Sequence, residues 1–131
     1  MPIKSMKSKR MSPWGQVDQS ERLLPGLTMV FTPGHGGLML TEKFAQKHLS
    51  AGAIAYADVW GSGASKRLCY EEDCAYAIVF WELIEKFGEA LYGAGTDIEE
   101  RRQSLLQTLS DYYPKYLRAR GVEPCAPLNE H

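Results

Sequence analysis

The 131-residue sequence has no long apolar run and few cysteines. Its longest nearly apolar stretch, residues 74–81, is far shorter than the roughly 20 residues that a membrane-spanning helix needs. No apolar segment follows the basic residues near the N-terminus, so we expect no secretory signal. The cysteines are odd in number, which argues against a disulfide framework: Cys69, Cys74 and Cys125. These absences predict a cytoplasmic protein that does not contact a membrane.

Complete catalytic and metal-binding motifs are absent as well. The sequence contains no Gly-x-Ser-x-Gly elbow of a hydrolase and no Gly-Lys-Ser/Thr sequence of a phosphate-binding loop. Cys69 and Cys74 have no second closely spaced pair of ligands that would complete a zinc site. We therefore expect neither a metal nor a cofactor, and the motifs assign no catalytic residue.

The composition is that of an ordinary globular domain, with 44% hydrophobic and 24% charged residues. A chain of this length can bury a core without help from metal ions or disulfides. Basic residues dominate the start of the chain, and its last residues offer little to bury. We therefore expect a disordered basic arm over 1–12, a single α+β domain over 13–121 and a flexible tail over 122–131.

Hydrophobic patterning predicts an α+β fold, in which a small antiparallel β-meander near the N-terminus packs on a subdomain of three to four helices. Strands are predicted over residues 16–24, 27–32 and 37–40, where β-branched and aromatic residues lie between glycine and proline turns. Thr41 and Thr96 are predicted helix caps. Segment 51–59 fits either a helix or a loop, and helices are predicted over 42–48, 71–91, 96–111 and 114–120.

Segment 71–91 gives the strongest helical signal and is predicted to lie at the centre of the fold, because apolar residues cover most of its circumference. Glu71, Glu72 and Asp73 would occupy its first turn, where carboxylates interact favourably with the helix dipole. A narrow polar stripe would stay exposed: Glu82, Glu85, Lys86 and Glu89.

The most informative string is Thr32-Pro33-Gly34-His35-Gly36-Gly37. Its glycines predict backbone angles that other residues resist, and they would expose His35 in a tight turn between two strands. An exposed imidazole suits proton transfer near neutral pH if a carboxylate orients it. The alternative is a turn histidine that bonds only to nearby backbone. The sequence leaves both interpretations open.

A second polar string, Tyr70-Glu71-Glu72-Asp73-Cys74, combines three carboxylates with a thiol. A helix N-terminus lowers a thiol pKa and neighbouring carboxylates raise it, so the string favours a structural Cys74 over a nucleophile. We expect the two strings to lie close together, with His35 hydrogen-bonded to Glu72 or Asp73. The alternative function is a hydrolase or transferase that uses His35 with Glu72, Asp73 or Cys74.

Charge is distributed unevenly along the chain. Residues 1–66 hold eight Lys or Arg and four Asp or Glu, whereas residues 67–131 hold seven and twelve. The acidic excess of the second half fits either solvated helix faces or an acidic surface that docks on a basic partner.

A second candidate surface, near the C-terminus, mixes aromatic and cationic residues. Such clusters are common at binding hot spots, although a packed helix with extended cationic side chains explains the pattern equally well. Its members are Tyr112, Tyr113, Tyr116, Lys115, Arg118 and Arg120.

Several strings together resemble one known family. They are Pro13-Trp14-Gly15, Pro25-Gly26, segment 32–37 with the leucines that follow, and segment 70–74 with Ala77-Ile78. Over about residues 13–117 the chain resembles a small domain of unknown function found in proteins of phages, plasmids and other bacterial mobile elements. The family carries no assigned activity, so its motif residues mark a candidate site and not a role.

The resemblance implies a class of function. Small mobile-element proteins are often inhibitors of host defence, anti-CRISPR proteins among them, and act by occupying a surface of a host complex. We therefore expect a protein of the bacterial cytoplasm, monomeric or homodimeric, that binds a host protein complex such as a nucleic-acid-binding effector without itself binding nucleic acid. The expected contact residues are His35, Glu71, Glu72, Asp73, Glu82, Glu85, Glu89, Tyr113, Lys115 and Arg118.

Overall fold

A five-stranded antiparallel sheet and five helices make up the fold of residues 10–126, the part of the chain that the computed structural model describes. This architecture confirms the predicted α+β class. A separate small hairpin pairs β1 (Met11–Ser12) with β2 (Gly15–Gln16). The strands of the main sheet lie in the order β3 (Gln19–Leu24), β4 (Leu27–Phe31), β5 (Gly36–Thr41), β7 (Arg67–Glu71) and β6 (Asp58–Trp60).

The first three strands of the main sheet form the predicted meander. Leu27 lies opposite Leu40 and Met29 lies opposite Leu38, so alternate residues of β4 and β5 face the helices. The turn between β3 and β4 contains Gly26, whose φ of 93° is one that side chains rarely adopt.

Strands β6 and β7 are not predicted by the sequence. β7 pairs with β5, and β6 pairs with β7, so both strands depend on partners that lie elsewhere in the chain. Segment 51–59, predicted as either a helix or a loop, is neither throughout: residues 51–54 are helical and residues 58–60 form a strand. A three-residue strand is too short to display the alternation that predicts strands.

The helices outnumber the three to four predicted, since segment 51–59 contributes a helix of its own. The predicted cap of the first helix is confirmed, because the Thr41 hydroxyl accepts the Phe44 N–H at 3.1 Å. The helices are α1 (Glu42–His48), α2 (Ala51–Ile54), α3 (Tyr76–Tyr92), α4 (Ile98–Tyr112) and α5 (Pro114–Ala119).

Two predicted helix starts are wrong. Helix α3 begins at Tyr76 and not at Glu71, because Glu71 pairs with Gly37 as the last residue of β7. The α4 cap is Asp97, whose carboxylate accepts the Glu100 N–H at 3.1 Å. The Thr96 hydroxyl instead donates to the Tyr92 carbonyl at the end of α3.

The hydrophobic core lies between one face of the sheet and the helices. Helix α3 runs through it as predicted and contributes Ile78, Leu83 and Ile84, each no more than 1% exposed. The sheet and the other helices supply most of the remaining fully buried side chains: Leu27, Leu38, Leu40, Tyr70, Leu105, Leu109, Tyr116 and Leu117.

The opposite face of the sheet is partly covered by the N-terminal hairpin. Trp14 packs over Gly37, and the neighbouring Val30 is 2% exposed. Trp14 therefore anchors the N-terminal hairpin to the outer face of the sheet. Most of the predicted arm and tail, residues 1–9 and 127–131, lies outside the described residues. In the described part of the predicted tail, the Cys125 N–H donates to the Ser110 hydroxyl at 2.8 Å.

Candidate binding groove

The turn between β4 and β5 holds the backbone of His35 on both sides. The Thr32 hydroxyl donates to the His35 carbonyl at 2.7 Å and accepts the His35 N–H at 3.1 Å. The imidazole is exposed, and no group within residues 10–126 hydrogen-bonds to it. His35 is therefore a turn residue that Thr32 holds through the His35 backbone, and within the described residues its imidazole bonds neither to a carboxylate nor to nearby backbone.

Gly36 and Gly37 are required for space, and none of the three glycines of this turn, Gly34, Gly36 and Gly37, has a positive φ. The expectation that these glycines adopt backbone angles that other residues resist is therefore wrong. A Cβ at Gly36 would lie 2.5 Å from the Val30 carbonyl oxygen. A Cβ at Gly37 would lie 2.6 Å from the Trp14 ring and would also contact the Tyr70 carbonyl. The string therefore lets Trp14 and the adjacent strands approach closely.

The two polar strings lie close together, as the sequence predicts. The Glu72 N–H donates to the Gly36 carbonyl at 3.0 Å, which places the Glu72 turn beside the histidine turn. The predicted hydrogen bond from His35 to Glu72 or Asp73 is wrong: neither carboxylate bonds to the imidazole. His35 is exposed to solvent, and within the described part of the chain no group forms a hydrogen bond that would orient its imidazole.

Glu71 organises the turn that leads into α3. Its carboxylate accepts the N–H groups of Asp73, Cys74 and Ala75 at 3.3, 2.7 and 2.8 Å. Burial alone would raise the pKa of Glu71, but these hydrogen bonds outweigh it and hold the pKa below its ordinary value. A residue expected to contact a partner thus serves as the cap of its own turn.

Cys74 has the environment of a structural thiol. Its Sγ lies 3.5 Å from the Tyr113 hydroxyl. Burial raises the pKa of Cys74, the hydrogen bond with Tyr113 opposes that rise, and Glu71 and Asp73 reinforce it. A thiol whose pKa is raised is a poor nucleophile at neutral pH. This geometry supports the structural interpretation of Cys74.

Glu82 is buried, which contradicts its place in an exposed polar stripe. Only 4% of its side chain is exposed. Its carboxylate accepts the Ser50 N–H, the Ser50 hydroxyl and the Tyr116 hydroxyl, each at 2.6 Å, and lies 3.2 Å from Arg120 Nε. Burial and this carboxylate raise the pKa of Tyr116 above its ordinary value. Glu82 is therefore not available to a partner, because its charge is used inside the protein.

The other expected contact residues lie on different parts of the surface. Glu89 is exposed, and Glu85 is exposed but ion-paired with Arg102. Tyr113 is half-buried and packs edge-on against Tyr56, with ring centroids 5.4 Å apart. The exposed members of the C-terminal cluster are Tyr112, Lys115, Arg118 and Arg120.

A charged concavity lies on the outer face of the sheet: a groove with a volume of about 400 Å³. We name it the basic groove and define it by Arg10, Arg22, Arg67, Met11, Met39 and Trp60. Strand pairing creates it, because Arg22, Thr28 and Met39 form one cross-strand row and Trp60, Arg67 and Thr41 form the next.

The groove combines positive charge with exposed apolar surface. Met11 is 52% and Trp60 is 38% exposed. Arg67 Nη1 donates to the carbonyls of Lys66 and Ala64 at 2.9 and 3.3 Å, and Arg10 donates to the Ser20 hydroxyl. Within residues 10–126, no carboxylate forms an ion pair with Arg22 or Arg67. The groove can therefore attract an acidic ligand.

Beneath the groove, Cys69 is inert. Burial and Asp58 raise the pKa of Cys69 to about 12, although Arg67 acts in the opposite direction. Cys69 is 1% exposed, so its thiol is inaccessible from the groove.

Comparison with known proteins identifies the family of this chain. A family described as "Domain of unknown function (DUF7007)" matches residues 7–127. The chain belongs to this family. The match covers both polar strings and all residues of the basic groove, so DUF7007 includes the complete fold of residues 10–126. No curated protein and no solved structure matches the chain.

The family confirms a domain of unknown function, as the sequence resemblance indicates. Its occurrence in phages and other mobile elements remains an expectation. Within residues 10–126 of this DUF7007 domain, no helix is long and apolar enough to cross a membrane.

Proposed function

We propose that this chain is a binding protein that inhibits a protein complex of a bacterial host by occupying one of its surfaces. The resemblance to mobile-element domains supplies the class of function, and the basic groove supplies the contact surface. One observation carries the proposal: Arg10, Arg22 and Arg67 line one groove beside the exposed Trp60.

The composition of the basic groove favours a protein partner with an acidic surface. Arg, Met and Trp are enriched in the centres of protein interfaces, and all three types line this groove. Arginine can pair with a carboxylate through two parallel hydrogen bonds, which fixes both position and orientation. Nucleic-acid grooves also use arginine, so the partner's chemistry is an outcome of the experiment below.

The acidic surface expected from the sequence has less support as the contact. Glu82 is internal, and Glu85 and Glu99 both pair with Arg102, which reduces their net charge toward a partner. Glu89, four residues after Glu85 on the same helix, stays exposed. The basic groove, in contrast, places Arg22 and Arg67 on one concave surface, and within residues 10–126 no carboxylate forms an ion pair with either.

The enzyme alternative also has less support. It requires His35 to act with Glu72, Asp73 or Cys74, yet the imidazole bonds to neither carboxylate and the Cys74 thiol pairs with Tyr113. An exposed histidine without an orienting group is a weak general base. One observation favours a test of this alternative: the turn that contains Glu72 lies beside the turn that contains His35.

Capture from a bacterial lysate tests the proposal when matched variants are compared. Arg22→Glu with Arg67→Glu reverses the groove, Glu85→Lys with Glu89→Lys reverses the same number of charges on α3, and His35→Ala removes the imidazole. We expect one partner that is retained by the wild type, the α3 variant and His35→Ala, and lost with the groove variant. Thermal unfolding must show that all four proteins are folded.

Three results would contradict the proposal. Retention of the partner by the groove variant would remove the basic groove from the contact. Capture of nucleic acid alone, lost in the groove variant, would replace the protein partner with a polyanion. An enzyme would be established by two results together. The wild type would act at concentrations far below that of its target, and His35→Ala would lose the biological effect.

A further inference from the structure

A second concavity, with a volume of about 470 Å³, lies between the turn after β3, helix α1 and helix α3. We name it the lysine cleft and define it by Leu24, Phe44, Phe87, His48, Lys43 and Lys47. Its volume falls within the range of small-molecule sites, which is about 300–1,000 Å³. It meets the basic groove only at Gly26 and Thr41, so the two sites can be tested separately.

The floor of the lysine cleft is apolar and aromatic. The His48 ring lies between Phe44 and Phe87, at centroid distances of 4.6 and 5.2 Å. Helix α3 is kinked at this position, because Phe87 has φ and ψ of −122° and 21° inside an otherwise helical segment. The adjoining Gly88 admits Ile98 of α4, whose Cδ1 would lie 2.6 Å from a Cβ there. The kink thus belongs to the packing that sets the wall of the cleft.

The rim of the cleft is cationic. Lys43 and Lys47 lie on consecutive turns of α1, and Lys86 of α3 places its Nζ 5.4 Å from the centroid of the Phe87 ring. Within residues 10–126, none of these lysines forms an ion pair with a carboxylate. Burial, Lys86 and Lys47 together lower the pKa of His48, which indicates that the positive charges converge on its ring. Its nitrogens form no hydrogen bond within the same residues and are free to bond a ligand.

We propose that the lysine cleft binds a free single-chain amphiphilic carboxylate, with the alkyl chain on Leu24, Phe44 and Phe87 and the carboxylate among Lys43, Lys47 and His48. The apolar floor supplies burial for the chain, and the unpaired lysines supply the complementary charge. The proposal is independent of the basic groove, and it adds a small-molecule site to a protein proposed above to bind a macromolecule.

Dodecanoate is the probe that tests this site. Calorimetric titration below its micelle concentration would compare it with acetate, which lacks the chain, and with dodecyltrimethylammonium, which has the chain and the opposite charge. We expect dodecanoate to bind saturably with one molecule per protein, and we expect no binding of acetate or dodecyltrimethylammonium. Amide chemical shifts should change most at residues 24–26, 43–48 and 87.

Variants on the rim complete the test. Lys43→Glu with Lys47→Glu should weaken dodecanoate binding by at least about tenfold, since each charge-assisted contact contributes that much or more. The exposed Lys115→Glu on α5 is the matched control and should leave the affinity unchanged, as should reversal of Arg22 and Arg67. If the double variant is unfolded, the single variants Lys43→Glu and Lys47→Glu replace it, and each should weaken dodecanoate binding.

The proposal fails if dodecanoate does not saturate, or if the cationic amphiphile binds equally well. Unchanged affinity in the rim variants, or shift changes centred on the basic groove, would also overturn it. Rejection of dodecanoate together with binding of an acidic amphipathic peptide at the same residues would identify a protein-docking surface instead.

Discussion

At the scale of single residues, the carboxylates of Glu71 and Glu82 hydrogen-bond to groups of the protein itself. Glu71 accepts three backbone N–H groups before α3, and Glu82 accepts hydrogen bonds from α5 and from the residue that caps α2. Both were expected at a partner surface because acidic residues are usually solvated. Their local hydrogen bonds account for both positions without any partner.

The lowered pKa of Glu71 predicts an acid-sensitive contribution to stability. Its ordinary value is 4.5, and the folded value is lower. The contribution is therefore complete above pH 4.5 and is lost as the pH falls through the folded pKa. Glu71→Gln should lower the free energy of unfolding by about 1 kcal/mol at pH 7, because one carboxylate contact and the charge are removed. Urea titrations at a series of pH values would measure this.

The matched control for that measurement is Glu72→Gln, which changes the adjacent exposed carboxylate. It should unfold like the wild type across the whole series. The difference between wild type and Glu71→Gln should shrink below about pH 4, where the unfolded chain takes up protons. A difference that stays constant from pH 7 to pH 3 would mean that the charge of Glu71 contributes nothing to its hydrogen bonds.

At the scale of elements, Glu82 joins three helices. Removal of its carboxylate, which is 4% exposed, would leave Ser50, Tyr116 and Arg120 without their shared acceptor. Glu82→Ala should therefore lower the free energy of unfolding by about 3 kcal/mol. Thermal or urea unfolding measures the change.

Glu85→Ala is the matched control, three residues along the same helix. Its side chain is 73% exposed and forms a surface ion pair, so its loss should cost less than about 1 kcal/mol. Equal effects of the two substitutions would contradict the assignment of Glu82 as a buried link between helices.

The sequence predicts those elements whose signals are local. β3, β4 and β5 lie between proline and glycine turns, and α1 has its own cap in Thr41, so their positions could be derived. β7 depends on pairing with β5, which is distant in the chain, and β6 depends on pairing with β7. Helix α3 begins later than predicted because Glu71 pairs with Gly37 in the sheet. Glu82 could not be placed, since its partners Ser50 and Tyr116 are 32 and 34 residues away.

At the scale of the whole molecule, the sheet separates a packed side from the side that carries the basic groove. The helices cover one face, and the N-terminal hairpin covers only part of the other. Arg22, Arg67 and Trp60 come from three strands, two of which the sequence does not predict, so the basic groove could not be assembled from the sequence. The histidine turn could be found as a string, but its structural role needed the contact between Gly37 and Trp14.

The most direct measurement of the central claim is a dose titration against the captured host complex. The activity of the purified complex would be followed while wild-type protein is added from far below to above equimolar concentration. The account predicts that inhibition grows in proportion to the protein added and is complete at equimolar binding, and that the variant with Arg22→Glu and Arg67→Glu does not inhibit. Complete inhibition by a small fraction of an equivalent, or undiminished inhibition by the groove variant, would contradict it.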